Sequence, residues 1–278
     1  MRNVPVLRKL LLKIARVIYF SNFISEMSCK FGFQGKIVKS HITVDLGLSK
    51  KKIKPLKALF LSDLHFGKLI GKKVIKGLVE ILKEKEYDIL LFGGDFLFLD
   101  DCGIEQLNLF LQKISPPIES YAVFGNHDTT DIREKITPIL NKNGVKVLIN
   151  EEVVLKEPYN FIRVYGMDDI KYGSPEFNSS KTKKTIFLCH SPEGLSFVNV
   201  NKDDVCFAIF GHTHGGQIIF NKKNPFLPFK DKYSKEFPCG YFEKSRFSFP
   251  FYVSRGIGFV WIPARFLSSS EVVFIDFV

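Results

Sequence analysis

Residues 205–216 read Val205-Cys206-Phe207-Ala208-Ile209-Phe210-Gly211-His212-Thr213-His214-Gly215-Gly216. Six apolar residues without polar alternation suit a strand buried on both faces. The motif at its carboxyl end sets two imidazoles one residue apart, on the same side of an extended segment, between glycines where packing has little use for them. The same plan recurs upstream. Lys57–Ser62 runs into Asp63-Leu64-His65, Asp88–Phe92 into Gly93-Gly94-Asp95, Tyr121–Phe124 into Gly125-Asn126-His127-Asp128, and Thr185–Cys189 into His190. Ligands of open α/β sheets collect beyond the carboxyl ends of the strands, so these five tips are expected to converge on one site.

The segments between the early tips carry the 3.6-residue period of amphipathic helices, over residues 72–86 (Val74, Leu78, Ile81, Leu82), 103–115 and 131–143. Strand and helix alternate, which predicts an α/β fold with helices on the faces of a sheet. After residue 145 the segments shorten, with further strands expected at Lys146–Ile149, Phe161–Tyr165, Gln217–Phe220, Phe251–Ser254 and Val272–Phe277. No internal repeat or linker cuts the chain.

Composition narrows the class. With 278 residues, 45% hydrophobic and 25% charged, and only 20 Gly and 13 Pro, the chain is neither collagen-like, low-complexity nor wholly disordered. Its five cysteines are scattered and form no CxxC pair, which argues against a disulfide framework or thiolate zinc site and suits a reducing compartment. The net charge of +11 is concentrated: residues 1–57 hold thirteen Lys/Arg against Glu26 and Asp45, whereas the remainder carries 27 of each sign. The body is neutral, so attraction for anionic partners is exerted by the amino-terminal arm.

Two parts are expected: a basic amphipathic arm over 1–50 and a catalytic body over 51–278. Leu7, Leu11, Ile14 and Ile18 share one helical face, opposite Lys9, Lys13 and Arg16. The longest uncharged run here, Val17–Ser25, has nine residues, too few to span a bilayer, and no small-residue cleavage site follows. Residues 1–20 are expected to lie on an anionic membrane surface, placing the protein in the cytoplasm, peripheral on the inner face of the cell membrane. The alternative is a helix docked on the body by its apolar face.

The donors at the strand tips define the chemistry. Imidazoles, carboxylates and one amide oxygen, with no thiolate, suit Mn, Fe, Co or Zn and exceed what a single ion uses. Two divalent metal ions are expected, a bridging carboxylate holding them ~3.5–4 Å apart to activate water and clamp a phosphoryl group. Asp63-x-His65 or Gly-Gly-Asp alone would serve as a helix cap or turn; the ordered set is what carries weight. His41 reads as an ordinary surface or packing histidine, and Cys189 and Cys206 as small buried hydrophobes.

Asp63-Leu64-His65, Gly94-Asp95, Gly125-Asn126-His127-Asp128, His190 and Gly211-His212-Thr213-His214 together resemble the motif set of the calcineurin-like metallophosphoesterases, over roughly residues 57–220. The resemblance implies the metallo-dependent phosphatase fold, a four-layer α/β sandwich of two mixed sheets flanked by helices. It implies that Asp63, His65 and His214 hold one ion, that Asn126, His190 and His212 hold the other, and that Asp95 bridges them. His127 is then catalytic, with Asp128 as its orienting partner. Gly211–Ile218, Gly240-Tyr241, Val253–Gly258 and Arg265-Phe266 are further similar to the membrane-associated bacterial branch that includes YaeI-like and YkuE-like phosphodiesterases and the chlamydial-type UDP-2,3-diacylglucosamine pyrophosphatase. Two departures stand out: a basic amphipathic segment replaces that branch's frequent transmembrane helix, and Ser270-Glu271 replaces its Pro-Glu. The protein phosphatase branch is disfavoured because no Asp-Arg-Gly follows Asp95.

Residues 217–252 interleave aromatics with lysines and arginines. Such a region would suit a membrane-facing lid or base stacking, or else complete the core. The expected activity is therefore dinuclear metal-dependent hydrolysis of a phosphodiester or pyrophosphate at the membrane surface, with a lipid-linked nucleotide such as UDP-2,3-diacylglucosamine, on the lipid A pathway, suggested by the resemblance. A soluble-substrate phosphodiesterase or nuclease is the alternative within enzymes, nucleic acid being the less favoured partner. A non-catalytic metal-binding scaffold is the alternative of another class.

Overall fold

A computed structural model of the chain describes residues 21–84, 86–98, 101–117, 119–178, 184–199, 204–220 and 231–278. The basic helix expected over residues 4–20 lies outside them. The first sheet contains β1 (Val38–Val44), β2 (Leu56–Leu61), β3 (Ile89–Phe92), β4 (Glu119–Ala122), β5 (Val145–Val147) and β12 (Glu271–Phe277), in the order β1-β12-β2-β3-β4-β5. All neighbours are parallel except β12 and β2. The second sheet contains β6 (Glu151–Val154), β7 (Ile162–Gly166), β8 (Lys184–Leu188), β9 (Val205–Phe210), β10 (Gly240–Phe242) and β11 (Phe251–Val253), in the order β10-β11-β9-β8-β7-β6. Its four central strands are parallel, and both edge strands run antiparallel to their neighbours.

Because successive strand residues point to opposite faces, each central strand supplies two cores. Leu59, Leu61, Leu90 and Phe92 pack against the helices α2 (Lys72–Lys83), α3 (Ile104–Ile114) and α4 (Thr130–Lys142) through Leu78, Leu82, Leu107, Phe110 and Ile136. Ala58, Phe60, Ile89 and Leu91 face the other way, onto Val164, Ile186, Leu188, Phe207 and Ile209 of the second sheet. The outer face of that sheet, with Tyr165, Phe187, Ala208, Phe210 and Phe251, is covered by Leu195 in a short 3₁₀ segment (Pro192–Phe197) and by Phe247 and Phe249. Three cores separate four layers, the expected α/β sandwich. Each fully buried Leu or Phe contributes ~1.5–3 kcal/mol, an upper figure for a chain whose unfolded state is itself partly compact.

Several expectations need correction. The division at residue 50 fails, since β1 is hydrogen-bonded along its whole length to β12, from Val38 opposite Glu271 to Val44 opposite Phe277. β1 is an edge strand whose residues, apart from Val44, are exposed or half-buried; a polar sequence suffices there, so no apolar run announced it. β6 and β10 are edge strands missed for the same reason. Gln217–Phe220 forms only a single bridge, Ile218 with Phe266, instead of a strand. Among the described aromatics of 217–252, Tyr233, Phe237, Phe242, Phe247 and Phe251 form a cluster with ring centroids 4.9–6.5 Å apart, completing the third core. His41 stacks on Phe274 with centroids 4.8 Å apart, and the five cysteines are free of disulfides.

Candidate metal centre

The parallel strands β2, β3, β8 and β9, together with β4, end at one edge of the sandwich, where their tips meet. Asp63 and His65 follow β2, Asp95 follows β3, Asn126, His127 and Asp128 follow β4, His190 follows β8, and His212 and His214 follow β9. Asp63, His65 and His214 present donor atoms within 4.8 Å of one another, and so do Asp63, Asp95 and His190. His212 sets its ring 5.1 Å from that of His190. Asn126 is buried in the loop carrying His127.

The backbone is strained to achieve this. Asp63, His65, Asp95, His212 and His214 all have positive φ, between 45° and 72°, a region that non-glycine residues enter at a cost of ~1–3 kcal/mol. Close approach explains two of the glycines. A Cβ on Gly125 would stand 2.2 Å from Asp95 Oδ1, and one on Gly211 would stand 2.3 Å from Ser62 Oγ and 2.5 Å from Asp63 Oδ2.

Hydrogen bonds aim the donors. The Asp63 N–H donates to Gly94 O at 2.9 Å and the His65 N–H to Asp95 O at 3.0 Å, tying the first two tips together. His212 N–H donates to the Asp63 carboxylate, at 3.1 Å from Oδ2, and Ser62 Oγ donates to the same oxygen. His190 Nδ1–H donates to Gly93 O at 2.7 Å, which leaves Nε2 as the atom facing the cluster. Asp128, expected to orient His127, also holds the backbone around the site. Its carboxylate accepts the backbone N–H groups of Asp95, Phe96 and Gly125 at 2.8, 2.9 and 2.9 Å, so it shapes the loops that carry Asp95 and Asn126. The His127 N–H in turn donates to Asp95 Oδ1 at 2.6 Å.

Arg265 is a site residue that the sequence presented only as part of an Arg-Phe pair. It is buried, sets Nη2 3.1 Å from His214 Nδ1 and donates to three backbone carbonyls, and nothing in its sequence neighbourhood marks it as reaching a histidine 51 positions away.

Of the imidazoles of His65, His190, His212 and His214, three are held below their ordinary pKa and His190 is the exception. Burial pushes His65 down, burial and the neighbouring His190 push His212 down to about 3, and burial with His65 and Arg265 holds His214 well below its ordinary value. For His190 burial acts in the same sense but is outweighed by Asp95, Oδ2 to Nε2 3.3 Å, so its pKa rises to about 10. Burial would raise Asp95; His190 and His127 hold it well below the carboxylate range instead. Burial, then the charge of Asp95, raise Asp128 to about 7. His190 Nε2 is buried without a hydrogen-bond partner, and such an atom among carboxylates and neutral imidazoles fits a divalent cation.

The fold and this edge define a metal-dependent phosphoesterase, and the chain belongs to the calcineurin-like phosphoesterase family, whose model matches residues 56–216. It is 28% identical over 194 residues to the phosphodiesterase YaeI of Escherichia coli K12, covering 67% of this chain and 71% of that one. A metallophosphoesterase of Helicobacter pylori J99 is 31% identical over 234 residues, covering 80% of this chain and 60% of its own length. A zebrafish protein named "Transmembrane protein with metallophosphoesterase domain" is 26% identical over 258 residues, covering 83% of this chain and 55% of its own. The chain thus spans little more than half of these last two relatives.

Proposed function

We propose that the chain is a dinuclear hydrolase of phosphodiester or pyrophosphate linkages, working at the inner face of the cell membrane on a lipid-linked nucleotide such as UDP-2,3-diacylglucosamine. The observation that carries the dinuclear reading is the presence of two adjoining donor groups, Asp63/His65/His214 and Asp63/Asp95/His190, with more donors than one ion uses. When bound, two divalent ions supply charge neutralisation at phosphoryl oxygens and acidify water. In this reading Asp63, His65 and His214 hold one ion, and Asn126, His190 and His212 the other. Asp95 Oδ2, 3.6 Å from His65 Nε2 and 3.3 Å from His190 Nε2, is placed to reach both. His127 is half-buried, its ring centroid 4.9 Å from that of His65, and serves to protonate the leaving oxygen or neutralise its developing charge.

The name of YaeI supports diester cleavage. Membrane action is supported by residues 1–20, which hold five basic residues and no acid, and by the zebrafish relative's name. Packing of Tyr233, Phe237, Phe242, Phe247, Phe249 and Phe251 into the third core speaks against base stacking. The test is a panel of metal-loaded protein on bis-p-nitrophenyl phosphate, UDP-diacylglucosamine, cyclic nucleotides and single-stranded DNA. Preference for the lipid nucleotide in anionic vesicles, reduced by deletion of residues 1–20 while the soluble diester is cleaved as before, is the expected result. Preference for DNA or cyclic nucleotides would replace the lipid assignment.

A further inference from the structure

Beside the metal centre lies an apolar face. Phe31 and Phe33 follow α1 (Phe23–Lys30), and Trp261, Ile262, Phe266 and Leu267 stand in the loop before β12, each exposing between 37% and 66% of its surface. These two segments are distant in sequence and fastened together in space. The Arg265 N–H donates to Phe33 O at 2.8 Å, while Ser28 Oγ and Gln34 Nε2 both donate to Pro263 O. Gln217 Nε2 donates to Ile262 O at 2.8 Å, and the Ile219 N–H donates to Phe266 O at 2.9 Å. The exposed Phe220 ring is thereby set 5.9 Å from that of Phe266.

Their outward display is built into the backbone. Trp261 and Leu267 have φ of 62° and 54°, a left-handed conformation costly for bulky side chains and retained only where the surroundings impose it. Exposed apolar side chains gathered from two segments fastened together mark a site of interaction. It also adjoins the chemistry: Trp261 meets Phe98 edge-on at 5.6 Å, and Phe98 lies 5.3 Å from the ring of His127.

Charge selects the occupant. Residues 21–36, 217–220 and 257–267 contain Lys30 and Lys36 against Glu26, Arg265 being buried, and the residues that precede them in sequence, 1–20, add five basic residues with no acid. Apolar side chains beside basic ones are the composition of surfaces that enter the headgroup and acyl boundary of anionic bilayers. No helix among the described residues is long and apolar enough to cross a membrane.

We propose that the face formed by Phe31, Phe33, Trp261, Ile262, Phe266 and Leu267 inserts into an anionic bilayer and turns the metal centre towards it, so that a lipid-linked phosphate reaches His127 without leaving the membrane. This rests on the hydrolase reading above and deepens it, because it assigns insertion and orientation to the folded body in addition to residues 1–20.

The chain contains one tryptophan, Trp261, which reports insertion directly. The full chain is titrated with phosphatidylglycerol/phosphatidylcholine vesicles whose acyl chains are brominated. The expected result is a blue shift and quenching of emission, and at least ~10-fold weaker vesicle binding for Phe31→Ser combined with Phe266→Ser. Thermal stability and hydrolysis of bis-p-nitrophenyl phosphate by that variant stay unchanged. Vesicle binding without quenching would overturn the proposal by assigning attachment to the arm alone. A lipid-free, concentration-dependent blue shift accompanied by dimerisation would assign the face to a second copy. A red shift in buffer on deleting residues 1–20 would assign it to the chain's own arm. Quenching by vesicles with no hydrolysis of any diester or pyrophosphate would leave insertion standing and remove the hydrolase reading.

Discussion

Nε2 of His65 and Nε2 of His214 face each other at 3.2 Å, although 149 residues separate them in sequence. Both imidazoles are buried beside the carboxylate of Asp63, with His214 Nε2 3.5 Å from Asp63 Oδ1. Directing two nitrogens at one point has a use when a cation shares it.

Metal should therefore stabilise the fold. A ligand present at 100 times its Kd adds ~2.7 kcal/mol, which for a chain of this size corresponds to a rise in Tm of ~5–10 °C. Calorimetry after exhaustive chelation, and again after restoring Mn²⁺ or Zn²⁺, checks this. The same Tm with and without bound metal would mean that the cluster is not the binding site.

His127 and Asp95 should separate chemistry from ligation. His127→Ala is expected to retain metal while kcat falls ~10²–10⁴-fold. Asp95→Asn is expected to lose both turnover and metal, because this carboxylate approaches His65 of one cluster and His190 of the other. Elemental analysis alongside kinetics decides; loss of metal from His127→Ala would make that residue a ligand.

The site was legible because its residues crowd the ends of strands that are buried on both faces, and such strands are written as apolar runs. β9, Val205–Phe210, matches its sequence expectation residue for residue. Edge strands carry no such signature: β1, Val-Lys-Ser-His-Ile-Thr-Val, needs only its backbone to pair with β12, so half its side chains remain polar. Arg265 and the loop role of Asp128 were illegible for a different reason. Their partners are backbone groups or side chains far away in sequence, and periodicity holds no record of which carbonyl or N–H a buried polar side chain meets.

Two glycines should respond oppositely to the same added methyl. Gly77 lies within α2, where an added Cβ would have nothing within 4 Å, so Gly77→Ala should stabilise by ~0.5–1 kcal/mol through helix propensity. At Gly125 the methyl would meet Asp95 Oδ1 at 2.2 Å and Asp95 N at 2.7 Å. Gly125→Ala should therefore displace the carboxylate and weaken metal binding. Chemical denaturation and metal titration of both variants test the contrast, and full metal affinity in Gly125→Ala would show that the loop yields without moving Asp95.

Glu271 should support the site from behind. It is buried at the start of β12, where Oε1 accepts the Arg255 N–H at 2.7 Å, and Oε2 accepts the Arg255 guanidinium at 2.5 Å and Ser40 Oγ at 2.8 Å. The segment it anchors leads to the metal centre, since the Gly258 N–H donates to Asp63 O at 2.7 Å and the Glu271 N–H to Gly256 O at 3.0 Å. Removing one partner of a buried pair costs ~3–5 kcal/mol, and partial solvent contact at Arg255 brings the expected loss for Glu271→Ala to ~2–4 kcal/mol. Since the partner's stranded charge causes much of that loss, Arg255→Leu combined with Glu271→Met should cost less than the sum of the single changes. Denaturant titration of the double-mutant cycle measures the coupling, while the metal affinity of Glu271→Ala should fall because the 255–258 segment no longer holds Asp63. Additive stability effects and unchanged metal affinity would detach this ion pair from the site and leave Asp63 fixed by its own strand tip.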